Sequence, residues 1–183
     1  MRKIINSTYI TLDGVIKNPH LWPSPDGHDD NANVIQTKLL LACDAVIMGR
    51  RTYEGFAPVW PTRSGDPFSD KINAMPKYVV STTMGEPLWN NTTVIRSDVA
   101  GAVARLKSQA GGDIVQYGFG SVSRELLKHG LLDELRLWGH PLFIGKAGPQ
   151  DLLFRECEPA RLRLVDTKAL KTGIVILNYQ IEQ

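Results

Sequence analysis

A short glycine turn, Gly118-Phe119-Gly120-Ser121, stands between a hydrophobic segment and a predicted helix. Free N–H groups at a helix N-terminus carry partial positive charge, and glycines let a phosphate come close to the backbone. The full dinucleotide fingerprint has a third glycine and an acidic residue roughly 20 positions later, whereas Ser123 holds the third place here. The turn therefore predicts either a phosphate site or a purely structural tight turn.

A second segment with phosphate-binding chemistry is Gly49-Arg50-Arg51-Thr52, which follows the apolar segment 44–48. It combines a flexible backbone, two guanidinium groups and a hydroxyl at a predicted helix start, and guanidinium groups bind phosphate through charge-assisted hydrogen bonds. One arginine in this place is compatible with a solvated surface. Two arginines after the glycine favour contact with a phosphate.

A third polar turn, Ser81-Thr82-Thr83, follows another predicted strand. By itself it is typical of an ordinary turn. In open α/β sheets, however, ligands bind outside the carboxyl ends of the strands. We therefore predict that the corners after residues 48, 80 and 117 converge in space on one anionic dinucleotide.

Other candidate residues each have a structural alternative. Asp13, in Leu12-Asp13-Gly14, is either a proton donor or a turn residue that binds its own backbone. Trp22 is a substrate cover or a hydrophobic anchor of its Pro-rich loop, and Asp30 is a substrate-facing carboxylate or, like Asp29, a helix cap. The four histidines are scattered, so no metal site is predicted.

These residues are positioned by alternating predicted elements followed by an antiparallel end. A helix is predicted from Ala32 to Ala42 by apolar residues at helical spacing, and two more over 98–109 and 121–129. The stretch 56–70 is rich in Pro and Gly and is predicted to be mostly loop. The predicted strands, the last three without long helices between them, cover 3–12, 44–48, 77–81, 92–95, 113–116, 133–139, 162–168 and 174–182.

Composition restricts the class of protein. The 183 residues are 43% hydrophobic and 22% charged, which predicts one ordinary globular domain over 1–183. A net charge of +2 provides no basic field for nucleic acid, so the expected partner is a small molecule. No apolar run approaches the roughly 20 residues of a membrane span and the N-terminus has no signal-peptide core, so we expect no membrane association and a cytoplasmic protein.

The order of these motifs resembles the dihydrofolate reductase-like superfamily, and more closely its branch related to the reductase domain of bacterial riboflavin biosynthesis proteins. Nearly the whole chain contributes to the resemblance. The segments that carry it are Leu12-Asp13-Gly14, Met48-Gly49-Arg50-Arg51-Thr52-Tyr53-Glu54, Lys77-Tyr78-Val79-Val80-Ser81-Thr82, Gly118-Phe119-Gly120-Ser121, Gly130-Leu131-Leu132-Asp133-Glu134-Leu135 and Pro141-Leu142-Phe143-Ile144-Gly145.

The resemblance implies a three-layer αβα fold with a mixed, mainly parallel central sheet, NADPH across its carboxyl edge, and a homodimer. It implies an NADPH-dependent reductase of a small organic molecule, pterin-like or riboflavin-precursor-like; the alternative is an NADPH-binding sensor without efficient chemistry. Ser81 and Thr82 would then lie near the adenosine ribose and its 2′-phosphate. The other cofactor residues implied are Gly49, Arg50, Arg51, Thr52, Gly118, Phe119, Gly120, Ser121 and Val122.

Overall fold

A single eight-stranded sheet runs through the protein, which we describe from a computed structural model covering residues 1–23, 30–153 and 159–182, with Asp30 described by its backbone alone. The order of the strands across the sheet is β4-β3-β2-β5-β1-β6-β8-β7. Their bounds are β1 Ile4–Thr11, β2 Cys43–Gly49, β3 Lys77–Val80, β4 Thr92–Ile95, β5 Asp113–Tyr117, β6 Glu134–His140, β7 Arg161–Ala169 and β8 Val175–Glu182.

The first six strands are parallel, and the last two add an antiparallel edge. β5 lies between β2 and β1 and pairs with both in parallel. β8 pairs antiparallel with β6 and with β7. The predicted mixed, mainly parallel sheet with antiparallel C-terminal strands is therefore confirmed.

In the described part of the chain, five helices cover the two faces of the parallel strands, which gives the predicted three layers. The first three helices pack on one face, where Leu40, Tyr53 and Ile72 join one buried cluster. The last two pack on the other face, where Val103 and Leu126 join a second cluster. The bounds of the helices are α1 Asp30–Ala42, α2 Arg50–Phe56, α3 Pro67–Ala74, α4 Val99–Ser108 and α5 Ser121–Lys128.

The antiparallel half has its own small core on the α1 face, built around Trp138 and Ile176. Ile35 of α1 packs against it. The edge strand β7, in contrast, is exposed at every residue.

The prediction of loop over 56–70 is wrong in part, because α3 begins at Pro67 and a 3-10 turn spans Trp60–Thr62. The side chain of Asp66 accepts hydrogen bonds from the N–H groups of Phe68 and Ser69, and Pro67 occupies the first turn. A capping Asp followed by Pro starts a helix, so the Pro that suggested a break marks a beginning. Among the described residues, none of the helices has the length and apolar content that crossing a membrane requires.

Candidate functional site

The three polar corners lie side by side, because β3, β2 and β5 are neighbours in the sheet. Gly49 at the end of β2 is in register with Val80 at the end of β3. On the other side of β2, Ile47 is in register with Gln116, one residue before the end of β5. The corners after residues 48, 80 and 117 therefore converge at one edge of the sheet, as predicted.

Side-chain contacts join the corners after β2 and β5. Gly118 has a φ of +78°, and a Cβ at this position would lie 2.8 Å from the hydroxyl oxygen of Thr52. The same hydroxyl donates to the carbonyl oxygen of Tyr117 at 3.4 Å. A Cβ at Gly49 would lie 3.4 Å from a methyl group of Val122. The turns therefore leave no space for a side chain at position 118, and a Cβ at position 49 would already be in contact with Val122.

Arg50 joins the corners after β2 and β3. Its Nη1 donates to the hydroxyl of Thr83 at 2.8 Å, and its Nε donates to Glu54 at 2.6 Å. Arg51 is exposed, and its charge is among the causes that lower the pKa of Asp151, after the hydrogen bond from Lys17. Arg50 is therefore bonded to the turn after β3, whereas the charge of Arg51 acts on Asp151.

The turn after β3 is held by its own serine. The Oγ of Ser81 accepts from the N–H groups of Thr83 at 3.3 Å and Met84 at 3.0 Å. Thr82, which lies between Ser81 and Thr83, is exposed. Ser81 thus shapes the corner, and Thr82 presents its polar groups to the solvent.

The glycine turn before α5 is open toward the outside of the sheet edge. Gly120 is the N-cap of α5, which has no side-chain cap, and a Cβ at Gly120 would meet nothing within 4 Å. Ser121 is exposed, while Phe119 packs against the cluster beneath α4 and α5. The free N–H groups at the start of α5 are therefore accessible to an anion.

A buried polar network supports this turn from below, and the sequence analysis missed it. The side-chain amide of Asn6 donates to the carbonyl oxygen of Gly118 at 2.9 Å and to Gln116 at 3.1 Å. The hydroxyl of Thr8 donates to the amide oxygen of Asn6 at 2.7 Å. The available signal was two polar residues, Asn6 and Thr8, at alternate positions of a predicted strand, but identifying their partners needs the strand register.

Asp13 joins two loops at the carboxyl end of β1. One carboxylate oxygen accepts from the N–H groups of Ile144 at 3.0 Å and Gly145 at 2.8 Å, and the other accepts from the hydroxyl of Thr11. These hydrogen bonds, that of Thr11 first, lower the pKa of Asp13. These contacts favour a structural role for Asp13. That role is wider than the predicted local turn, because Asp13 links the loops after β1 and β6.

Trp22 lines a pocket of about 320 Å³ between the same two loops. The indole N–H donates to the carbonyl oxygen of Lys17 at 3.0 Å, and the ring lies edge-on against His140 with centroids 5.3 Å apart. Lys17 and Lys146 line the pocket, and Lys17 forms an ion pair with Asp151 at 2.9 Å. The pocket is aromatic on one wall and carries positive charge.

Two further predictions concern the role of Asp30 and the presence of metal ligands. The side chain of Asp30 and all of Asp29 lie outside the described residues, so the substrate-binding role of Asp30 stays a prediction. Within ranges 1–23, 31–153 and 159–182, no three His, Cys, Asp or Glu side chains are grouped as metal ligands would be.

Comparisons with known proteins agree with this architecture. The family model described as the RibD C-terminal domain matches residues 2–176. The uncharacterized protein YyaP of Bacillus subtilis is 31% identical over 189 residues, which cover 97% of this chain and 94% of that protein.

Solved structures share the fold at low identity. A putative riboflavin biosynthesis protein from Shewanella sp. PV-4 has a TM-score of 0.71 at 20% identity, with all of both chains covered. A diaminohydroxyphosphoribosylaminopyrimidine deaminase/5-amino-6-(5-phosphoribosylamino)uracil reductase from Thermotoga maritima has a TM-score of 0.66 at 15% identity, with 99% of this chain and 57% of that one covered. The predicted superfamily and branch are confirmed: the chain belongs to the RibD C-terminal domain family.

Proposed function

We propose that this protein is an NADPH-dependent reductase of a small organic molecule. The observation that carries the proposal is the convergence of three phosphate-compatible corners on adjacent strand ends, with Arg50 bonded across two of them. Membership of a family that contains reductase domains supports the same reaction class.

The residues at these corners fit a dinucleotide phosphate. The absence of side-chain atoms around Gly120 leaves space for a pyrophosphate over the free N–H groups of α5. Arg50 with Thr82 and Thr83 offers a guanidinium and two hydroxyls, the donors that a 2′-phosphate requires. The same donors favour NADPH over NADH.

When bound, NADPH supplies the hydride. The protein binds and orients the cofactor and the substrate, and it excludes water from them. The pocket beside Trp22 has the volume of a small-molecule site. It lies between the loops after β1 and β6, farther along the same sheet edge from the cofactor corners. We place the substrate, a pterin-like or riboflavin-precursor-like molecule, on this side.

The proton that accompanies the hydride comes from a source other than Asp13 in this proposal. A general acid needs a pKa near the working pH, and the three hydrogen bonds to Asp13 lower its pKa instead. An ordered water is the donor in this proposal.

The test is a fluorescence titration of the protein with NADPH and NADH, followed by steady-state NADPH oxidation. Suitable oxidants are 7,8-dihydrobiopterin, 5-amino-6-(5-phosphoribosylamino)uracil and small carbonyl compounds. We expect tighter binding of NADPH than of NADH and oxidation with at least one compound. Absence of NADPH affinity contradicts the proposal, and tight binding without any oxidation favours the sensor.

We further propose a homodimer formed through β7. This strand is exposed along its whole length, and its apolar residues Leu162, Leu164 and Val165 are 42%, 49% and 60% exposed. Apolar residues clustered on one exposed element are typical of a protein interface. Sedimentation of the wild type as a dimer, and of Leu164→Glu as a monomer, is the expected result; a monomeric wild type at working concentration contradicts it.

A further inference from the structure

His140 is a buried histidine for which the fold gives no hydrogen-bond partner. It ends β6 and is 8% exposed, and neither ring nitrogen has a partner among the described residues. Burying such a group unpaired destabilises the fold, so an unpaired polar side chain needs an explanation.

Aromatic rings flank the imidazole. The ring of Tyr9 lies 4.9 Å from it and the ring of Trp22 lies 5.3 Å away. Burial lowers the pKa of His140, so the ring is neutral near pH 7 and offers one N–H donor and one acceptor. The surroundings of His140 therefore offer a ligand two aromatic rings to pack against, and the imidazole offers it one hydrogen-bond donor and one acceptor.

Tyr117 presents a second unpaired polar group on the same face of the sheet. It is 8% exposed, and its hydroxyl has no partner in the part of the chain that the structure describes. Burial and then the neighbouring phenol of Tyr9 raise the pKa of Tyr117.

The strand register explains why these residues lie in one row. Tyr117 is paired with Ser7, and His140 is paired with Thr11. Paired residues of parallel strands point to the same face, as do alternate residues of one strand. Tyr9 lies between Ser7 and Thr11, so Tyr117, Tyr9 and His140 form a diagonal across β5, β1 and β6.

This row starts at the cofactor corner. Tyr117 directly precedes the Gly118 turn. His140 lies two strands across the sheet and four residues along it from Tyr117, roughly 16 Å away at the usual spacings, and Tyr9 stands between them. One small planar molecule therefore does not contact both, and a molecule against His140 lies on the β6 side of a dinucleotide held at the three corners.

Resting on the proposed function, we propose that His140 binds the substrate: a ring nitrogen of His140 forms a hydrogen bond to a polar atom of a planar heterocycle. The ring of Trp22 lies against the imidazole and also lines the pocket, so a heterocycle in the pocket reaches His140 when the Trp22 ring moves aside. His140 thereby favours ligands with a polar group on the matching edge.

The experiment compares wild type, His140→Phe and the matched control His129→Phe, which alters an exposed histidine bonded to Glu125. Each is measured for NADPH affinity, thermal unfolding and NADPH oxidation with 5-amino-6-(5-phosphoribosylamino)uracil and 7,8-dihydrobiopterin. We expect His140→Phe to keep NADPH affinity within twofold and to unfold at the same or a higher temperature, because it removes an unpaired buried polar group. Its kcat/KM falls at least tenfold, mainly through KM, and His129→Phe changes nothing.

A readout that does not depend on turnover uses ¹⁵N-histidine labelling, with the His140 signals assigned from their loss in His140→Phe. Addition of a probe, with and without NADPH, is expected to shift the His140 ring nitrogens. If neither probe shifts them, or if His140→Phe unfolds several degrees lower with unchanged kcat/KM, the proposal is overturned and His140 is structural. Loss of NADPH affinity in the wild type counts instead against the proposed function, so the two failures are distinguishable.

Discussion

Arg50 donates a hydrogen bond from Nη1 to the hydroxyl of Thr83 at 2.8 Å, so a side chain that follows β2 reaches the turn that follows β3. Its Nε is also bonded, to Glu54 in the next turn of the same helix. An arginine held at both ends of its guanidinium loses little side-chain freedom when it binds an anion. The edge that we propose binds the cofactor is therefore partly organised before any ligand binds.

Arg50→Ala and Arg51→Ala are each expected to weaken NADPH binding by about 1–3 kcal/mol, the value of a charge-assisted hydrogen bond. Titration with NADPH and NADH measures this, with the exposed Arg105→Ala on α4 as the control. A larger loss for NADPH than for NADH identifies the arginine that contacts the 2′-phosphate. Equal losses for both nucleotides would show that neither arginine does so.

Gly118→Ala and Gly120→Ala form a matched pair. Gly118 has a positive φ and no space beside Thr52, so its substitution is expected to destabilise the fold by about 1–3 kcal/mol. Gly120 has a φ of −141° and open space, so its substitution leaves stability unchanged but blocks a phosphate and weakens NADPH binding. Chemical denaturation and NADPH titration separate the effects; unchanged affinity in Gly120→Ala contradicts the phosphate site.

Asn6→Ala is expected to lower the free energy of unfolding by about 1–3 kcal/mol, because it leaves the buried partners Gln116 and Gly118 short of a donor. Urea denaturation measures the loss. NADPH affinity should fall as well, since the amide supports the glycine turn. A destabilised variant with full NADPH affinity would show that the turn keeps its shape without Asn6.

Asp13→Asn tests whether the carboxylate anchors loops or donates a proton. The folded-state pKa of Asp13 lies below its ordinary value, so its stabilising contribution is present above that value and is lost as pH falls through the folded pKa. We expect the variant to be less stable than wild type at pH 7, with the difference disappearing in acid. Retained turnover identifies an anchor, and a strong loss of turnover without loss of stability identifies a proton donor.

Lys77 gives a pH effect of the opposite sign. Its ammonium is buried and donates to the carbonyl oxygens of Asn73 at 3.0 Å and Met75 at 2.7 Å, and burial lowers its pKa to about 8. Between that value and 10.5 the unfolded chain binds more protons, so the free energy of unfolding rises as pH increases. Denaturation across this interval measures the rise, which should be absent in Lys77→Met.

Sequence patterns were sufficient for most of the fold because apolar strands and capped helices are local signals. The predicted strand over 92–95 matches β4, and Asp98 caps α4 as the predicted helix start implied. The sequence pattern did not predict α3, because Pro is typical of a break, whereas Pro67 after the capping Asp66 starts a helix.

Residues of the site were predictable only where a single segment contained several residues suited to phosphate binding. The corners at Gly49 and Gly118 were visible because glycine, arginine and hydroxyl groups adjoin predicted strand ends. Asn6 and His140 were not, because their importance depends on which strands are neighbours and in what register. A histidine without a partner is a property of packing, which a linear pattern does not contain.

The irregular pairing of β7 with β8 affects how the protein behaves at high concentration. The register shifts between Leu164 and Asp166, which leaves Val165 as an extra residue in the edge strand. A bulge bends an edge strand, and charged side chains such as Arg163 and Lys168 oppose the addition of another strand. This edge is therefore protected against open-ended addition of further strands.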